Sequence, residues 1–576
     1  MNQTGLSGRR PVVTTTEQAP APAADVAPGR RGGGWLRGLF GALAGLLAAA
    51  VALGVAELVS AATGPSTAPV VAVGDTVITL VPEPVKQFAI RTFGENDKIA
   101  LVAGTLVVVA VYAMVVGVLA LRWRAVGVLG VALFGVLGAL AATTRPAAEP
   151  LAWLPSVAGA AVGVLALLAL LRPLTGVPVL PGSRPPADAT AAVGRHADVD
   201  GSAVDRLRAA LGTSGDRKGL DRRGFFLSSG VALGVAAVTG GGGYLLQRRF
   251  DVGDARADLT LPTPASPAPA LPAGADLAET VDGLTPLVTS NRDFYRVDTA
   301  ISVPQIQPSD YELELTGSFD SRATFSLDDL YGRGDLIERD ITLTCVSNEV
   351  GGRLAGTARW LGVPLGAFLR ENGVSPDSTQ LVCRSSDGMT IGAPTRSALD
   401  VEDAMLAIGM NGEPLPVEHG FPVRMIIPGL YGYVSACKWL VGIEATTFDA
   451  FDAYWVQRDW TQEGPIKVAS RIDTPAPLRR FPAGRVPIAG VAWAQTRGIG
   501  RVEVRIDDGD WLAAELAPEV DADLWRQWVL PHDFAPGSYQ LTVRAITADG
   551  EVQTPDRAAP FPSGATGLHS IRVIAT

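Results

Sequence analysis

The sequence predicts a multi-domain chain, with an α-helical membrane region of about five spans, then an α+β domain, then a β-sandwich. Three observations carry this expectation. Four long apolar runs crowd the first third of the chain and a fifth follows a polar stretch. Strand-like and helical patterns mix in the middle. Short alternating stretches separated by Gly/Asp turns fill the end.

Composition agrees with a membrane component. Charged residues make up 18% of the 576 residues and apolar ones 47%, against about 25% charged in ordinary soluble proteins, and mean hydropathy is +0.24. Lys+Arg 48 against Asp+Glu 58 gives a net charge of −10, and without a dense basic block nucleic acid is excluded as a partner. Three Cys and four His leave little room for zinc clusters or a disulfide-dense scaffold. Gly is abundant but carries no G-X-Y period, which excludes collagen.

Residues 1–34 are rich in Pro, Ala, Gly and Thr without apolar periodicity, so a disordered arm is expected. Trp35–Ala61, Ile99–Leu121, Ala125–Ala142 and Leu151–Leu171 each reach or approach the roughly 20 residues a spanning helix needs. They place four membrane helices within residues 35–172. Val70–Val81 is shorter, interrupted by Gly74-Asp75-Thr76, and reads as an interfacial or re-entrant segment. Residues 173–222 read as a polar loop and 223–247 as the fifth helix. Arg30, Arg31, Arg37, Arg122, Arg124, Arg172, Arg222 and Arg223 all fall on one side if the spans alternate. The positive-inside rule makes that side cytoplasmic and puts everything after Leu246 outside, in contact with lipid only through its anchor.

Asp221-Arg222-Arg223-Gly224-Phe225-Phe226-Leu227 opens the fifth helix. The pair serves as a positive-inside anchor, or as the core of a twin-arginine export signal, under which the outer part crosses already folded. Residues 248–283 include the Pro/Ala stretch LPTPASPAPALPAG, expected to act as an extended tether. Residues 284–480 mix strand-like runs (Ile341–Thr344, Val423–Ile427) with a helical one (Leu365–Glu371). Over 481–576, runs such as Val502–Ile506 and Tyr539–Arg544 alternate at the spacing of a sandwich.

Two clusters carry chemistry. In Thr342-Leu343-Thr344-Cys345-Val346-Ser347-Asn348-Glu349 a cysteine ends a β-rich run and enters a polar, Gly-containing loop. A lone Cys is ordinarily a buried small hydrophobe, but a thiolate exposed on a loop is a soft metal ligand. The second cluster runs from Met410 through His419-Gly420-Phe421-Pro422-Val423-Arg424 to Ser435-Ala436-Cys437-Lys438-Trp439. Glycines beside His, Arg, Ser and Lys supply flexible backbone and charge-assisted donors, as a phosphate-bearing cofactor requires.

Together with Asn291-Arg292-Asp293-Phe294-Tyr295-Arg296, Trp360-Leu361-Gly362-Val363-Pro364-Leu365, Tyr454-Trp455-Val456-Gln457-Arg458-Asp459-Trp460 and Ser470-Arg471-Ile472-Asp473, these clusters closely resemble the sulfite oxidase family of molybdopterin enzymes. The resemblance covers about half the chain. It implies a sulfite-oxidase-like molybdopterin domain followed by an immunoglobulin-like domain through which homodimers form. It implies that Cys345 is the protein's thiolate ligand to molybdenum. It also implies that His419, Arg424, Ser435 and Lys438 line the molybdopterin and its phosphate, with Asn291, Tyr295 and Arg296 closing over them. Where animal and plant members carry an arginine shortly after the cysteine, this chain has Glu349-Val350, and Trp460 stands for their catalytic tyrosine. Arg353 or Arg458 is then the cation left to receive an anionic substrate, and a neutral sulfoxide or another oxygen-atom donor or acceptor fits at least as well.

Cys383 and Cys437 form a disulfide, which an extracytoplasmic location permits, or are two buried thiols. None of the four His lies in an apolar run, so no haem is expected between the helices and electrons must pass to or from a separate carrier. The reading is a membrane-anchored, extracytoplasmic molybdenum oxidoreductase transferring an oxygen atom and two electrons. The alternative is a catalytically silent cell-surface binding or scaffold protein that keeps the fold. A transporter ranks below both, since Glu57 is the single acidic residue well inside a clear span.

Overall fold

The computed structural model describes residues 34–82, the positions 85, 88, 92 and 93, and residues 97–176 and 221–576. The arm expected over residues 1–34 and most of the loop expected over 173–222 lie outside the described residues.

Among the described residues, five helices are long and apolar enough to cross a membrane. They are α1 (Gly34–Thr63), α3 (Asp97–Ala120), α4 (Arg124–Thr143), α5 (Leu154–Thr175) and α6 (Arg222–Gln247), and the short apolar α2 (Pro69–Leu80) falls on the segment expected to be interfacial. α1 is the hub and packs against α3, α5 and α6. Small residues let the backbones touch, as in other helix bundles of apolar surface. A Cβ at Gly117 of α3 would fall 2.2 Å from the Gly41 carbonyl oxygen of α1, so only glycine fits there. Val108, Leu129 and Val238 instead face outward.

The two ends of the bundle differ. At one end Arg37 Nη2 donates to Leu174 O (3.4 Å), Arg124 Nη2 to Thr175 Oγ1 (3.2 Å), and Asp221 N to Pro173 O (3.2 Å), which gathers the basic residues. Asp221 caps α6 by accepting from Gly224 N at 2.9 Å. The opposite end carries α2 and the 144–153 turn. Here Asp75 pairs with Arg145 at 2.8 Å.

The middle domain is built on ten strands: β1 (Glu312–Gly317), β2 (Ala323–Ser326), β3 (Ile337–Thr344), β4 (Ala355–Pro364), β5 (Gln380–Ser385), β6 (Thr390–Pro394), β7 (Met405–Met410), β8 (Glu413–Pro414), β9 (Arg424–Ile426) and β10 (Leu440–Thr446). One sheet has the order β2-β1-β10-β5-β6, and the other β3-β4-β7-β8 with β9 on β7. Only β1 and β10 run parallel. Leu313 and Leu315 of β1, Val363 of β4, Leu381 of β5 and Leu406 of β7 share one core. The second sheet buries its other face as well, through Ile341, Trp360, Met405 and Ile426. Burial on both faces explains why β7 reads as an unbroken apolar run. The helix expected at Leu365–Glu371 forms over those residues.

The C-terminal domain comprises β11 (Ala469–Thr474), β12 (Arg480–Phe481), β13 (Gly484–Trp493), β14 (Ile499–Ile506), β15 (Trp511–Ala513), β16 (Glu515–Leu516), β17 (Arg526–Phe534), β18 (Gly537–Thr547) and β19 (His569–Ala575). Sheets β11-β13-β17-β16 and β12-β19-β18-β14-β15 enclose a common core that includes Ile488, Trp528, Val504 and Val543. β11 lies ahead of residue 481 and already pairs with β13, so the sandwich starts earlier than the change in sequence texture.

Residues 248–283, expected to be a free tether, are laid onto the domains. Val252 is buried, Leu259 and Leu261 pack on the core, and Ala265 N donates to Leu336 O at 2.8 Å. The apolar side chains among the prolines give this stretch something to bury, which a solvated spacer lacks.

Candidate active site

β3 ends at Thr344 and delivers Cys345 into a loop held at both ends. Cys345 N donates to Leu354 O at 2.9 Å, and the buried Asn348 Oδ1 accepts from Leu354 N at 2.9 Å. The C-terminal domain braces the loop from behind. Arg471 Nη1 donates to Gly352 O at 2.9 Å, and Gly351, at φ +82°, lies against the His569 ring. Gln495 Nε2 donates to Thr342 O at 2.9 Å, so β3 is also fixed across the domain boundary.

Cys345 is buried in the wall of a cleft that holds about 1060 Å³ of space, open mouth included. Burial pushes its thiol up, while hydrogen bonds from Ser347, backbone and hydroxyl, work in the opposite direction. The cleft has two parts. Val346, Tyr433 and Trp460 belong to one apolar cluster, and Trp460 meets Tyr433 at 5.8 Å, Trp455 at 6.3 Å and Phe561 at 5.3 Å between ring centroids. Phe294, Tyr295, His419, Arg424 and Lys438 form the other.

In that second part, the turn at Val417–His419 places His419 Nε2 2.9 Å from Asn291 O. Burial, helped by the charges of Arg424 and Lys438, lowers the imidazole to about 4, so it is neutral near pH 7. Arg424 opens β9, donates from Nη1 to His419 O at 2.9 Å and lies 5.1 Å from the Trp360 ring centre. Burial lowers it to about 10, which leaves it a cation. Tyr295 lies close enough to both Cys345 and Arg424 to feel their charges, and burial raises its phenol far above the usual range.

Lys438 Nζ donates to Asp298 Oδ2 at 2.6 Å and to Glu418 O at 3.2 Å. Burial lowers it to about 8 despite the favourable Asp298 charge. Burial alone would raise the Asp298 carboxyl, but Lys438, Lys98 and Arg296 outweigh it and hold the group ionised. Arg296 Nε donates to Asp298 Oδ2 at 2.8 Å.

The structure thus brings Cys345, Tyr295, His419, Arg424, Lys438 and Trp460 to one cleft. The others expected at the site lie elsewhere. Ser435 is fully buried but turns its hydroxyl to Leu430 O at 3.0 Å. The Asn291 side chain joins Asn411 at 2.8 Å, while its carbonyl anchors His419. Arg353 and Glu349 are exposed and outside the cleft wall. Arg458 covers the Tyr454 ring at 3.5 Å and reaches Thr79 O of α2 at 3.4 Å. Cys383 and Cys437 are free buried thiols, the second in the cleft wall, and burial raises both, the first to about 12. Sequence reasoning missed Asp298, Ser347, Met389 and Trp455 as cleft residues. An acid two positions after Arg296 was the available signal for Asp298.

The residues suit a molybdopterin on grounds of their own. Arg424 Nε, Ser385 Oγ and Trp460 Nε1 are buried in the cleft wall without a hydrogen-bond partner. Orphaned buried groups are uncommon, and each is costly until a ligand satisfies it. Cys345 at the end of β3, buried cations and clustered aromatic rings match a metal held by a protein sulfur and a flat, phosphate-bearing ligand.

Comparison with known proteins agrees. Residues 300–455 match the oxidoreductase molybdopterin binding domain family. Mitochondrial sulfite oxidase of Homo sapiens is 31% identical over 323 residues, 48% of this chain and 58% of that protein. Sulfite oxidase of Gallus gallus is 30% identical over 312 residues, 45% of this chain and 67% of that protein. The chain therefore spans less than two thirds of the human enzyme's length. Among solved structures, the sulfane dehydrogenase SoxCD from Paracoccus pantotrophus aligns over 50% of this chain and 81% of that chain, at 23% identity and a TM-score of 0.44. With a molybdopterin-binding domain and relatives of this kind, the chain belongs to the sulfite oxidase family of molybdopterin-dependent oxidoreductases.

Proposed function

We propose that this protein is a membrane-anchored oxidoreductase that exchanges an oxygen atom and two electrons with a small neutral substrate on the extracytoplasmic side. The observation that carries the reading is the buried Cys345 sulfur in the wall of a cleft that also holds the unpartnered Arg424 Nε. Cys345 would hold molybdenum, and His419, Arg424, Lys438 and Tyr295 would hold the pterin and its phosphate. When bound, that cofactor supplies the two-electron oxygen-atom chemistry.

The chain's residues do the rest. Val346, Tyr433, Trp455 and Trp460 would offer apolar walls to a substrate, and the unpartnered Trp460 Nε1 would donate a hydrogen bond to a substrate oxygen. Among the cleft-lining residues the only Arg and Lys are Arg424 and Lys438, both engaged away from the aromatic part. An anion such as sulfite would find no cation beside those rings, whereas a neutral sulfoxide needs one donor and an apolar wall. Reduction of a sulfoxide to a thioether and water takes two electrons and two protons, so a separate electron carrier is required.

Anchoring rests on the five apolar helices, and sidedness on the basic residues gathered at the bundle end away from the catalytic domain. Export through the twin-arginine route, an immunoglobulin-like identity for the sandwich and dimerisation through it complete the proposal. Turnover by the full chain in detergent with sulfite, a thioether sulfoxide and nitrate, using dye carriers, tests the substrate class. The sulfoxide is expected to be preferred, and a clear preference for sulfite would overturn this assignment.

A further inference from the structure

Building on the molybdopterin reading above, we propose that the spanning region completes the cofactor site. Lys98, at the start of α3, is a positioning residue for the phosphate-bearing end of the cleft and acts on Lys438 through Asp298.

Lys98 Nζ donates to Asp298 Oδ1 and, at 2.8 Å, to Ala300 O. The Asp298 side chain is only 4% exposed, and its other oxygen takes Lys438 Nζ and Arg296 Nε. Three cations therefore meet on one buried carboxylate, and a phosphate would offer them a second anion. Lys438 spends two of its three donors on Asp298 and Glu418 O, which leaves one for the cleft. With Lys98 and, at 3.4 Å, Arg296 Nη2 on Oδ1, the carboxylate meets Lys438 through Oδ2 alone. Without Lys98, only the longer Arg296 contact would hold Oδ1, and Asp298 would turn it toward the Lys438 ammonium and draw that group away from the cleft.

The position of Lys98 is set by more than one contact. Asp75 of α2 accepts from Ile301 N at 3.4 Å, one residue beyond the carbonyl that Lys98 grips, and a Cβ at Gly74 would fall 2.3 Å from the Ile301 side chain. A Cβ at Gly388, between the cleft residues Asp387 and Met389, would lie 2.7 Å from both Pro146 and Ala147 of the 144–153 turn. One end of the bundle, through α2, the start of α3 and the 144–153 turn, thus braces residues 298–301 and 387–389 at the cleft.

The test uses the full chain, purified in detergent as wild type, Lys98→Met, Lys98→Gln and Lys98→Arg. Pterin and molybdenum per chain are measured before and after dialysis at raised salt, with the thermal unfolding midpoint as a check on folding. Lys98→Met and Lys98→Gln are expected to lose pterin about fivefold faster, as the loss of one half-buried charge near an anion implies, and Lys98→Arg to retain it. Wild-type rates in both neutral variants would overturn the role given to Lys98, as would equal loss in Lys98→Arg. A wild-type chain without pterin would instead overturn the molybdopterin reading itself.

Discussion

At Cys345 a residue type that is usually an inert core hydrophobe enters a cleft wall because β3 stops one residue earlier, and Ser347 turns its hydrogen bonds onto the sulfur. His419, Arg424 and Lys438 were legible in the sequence because Gly, Pro and cations recur around them in one short stretch. Ser435 and Asn291 were read as neighbours of the same ligand, yet both point their side chains into the backbone network. Their type was legible and their direction was not, since rotamer choice depends on packing. Two outcomes belong to this scale. Trp460→Phe keeps the ring and removes the unpartnered N–H, so turnover on the preferred substrate should fall about tenfold with molybdenum content unchanged. Loss of metal would assign Trp460 to cofactor binding instead. Burial and neighbouring cations lower both His419 and His569 to about 4. In nitrogen-15 spectra of the four histidines, these two should remain neutral down to about pH 5, where an ordinary imidazole is mostly charged. Titration of His419 near 6.5 would contradict the packing described.

Single elements tie the domains together more than their sequence suggests. β3 is anchored by Gln495 and by Trp525 N, which donates to Thr342 Oγ1 at 2.7 Å, so the sandwich holds the strand that delivers Cys345. The alternating sequences of Val502–Ile506 and Tyr539–Arg544 were legible and lie in β14 and β18. β11 was not, since only its pairing with β13 reveals its sheet. Gly351→Ala should expose this coupling. A Cβ there falls 2.4 Å from the His569 ring on a positive-φ residue, and a cost of about 2 kcal/mol is expected together with weaker metal retention. Calorimetry and metal analysis check both, and an unchanged unfolding midpoint would mean that the loop yields freely. The 248–283 segment shows the opposite error, because proline content suggested an extended spacer where Val252 and Leu261 supply apolar anchors.

Over the whole molecule, the low charge and high apolar content belong mainly to the first 250 residues, and the five long apolar runs became five helices nearly residue for residue. Apolar length is a local property, so it survives reading from sequence. The seating of the catalytic domain on the bundle is long-range and had no local signal. If Arg222 and Arg223 form an export signal, changing both to Lys should trap the catalytic domain on the cytoplasmic side, as protease protection would report. Continued export would leave them as anchors alone. The central claim is most directly tested by molybdenum and pterin content of the natively exported full chain, wild type against Cys345→Ser. The wild type is expected to carry about one molybdenum per chain, held by the Cys345 sulfur, and the variant to lose it. Stoichiometric molybdenum in Cys345→Ser would contradict the assignment of Cys345 as the metal's protein ligand.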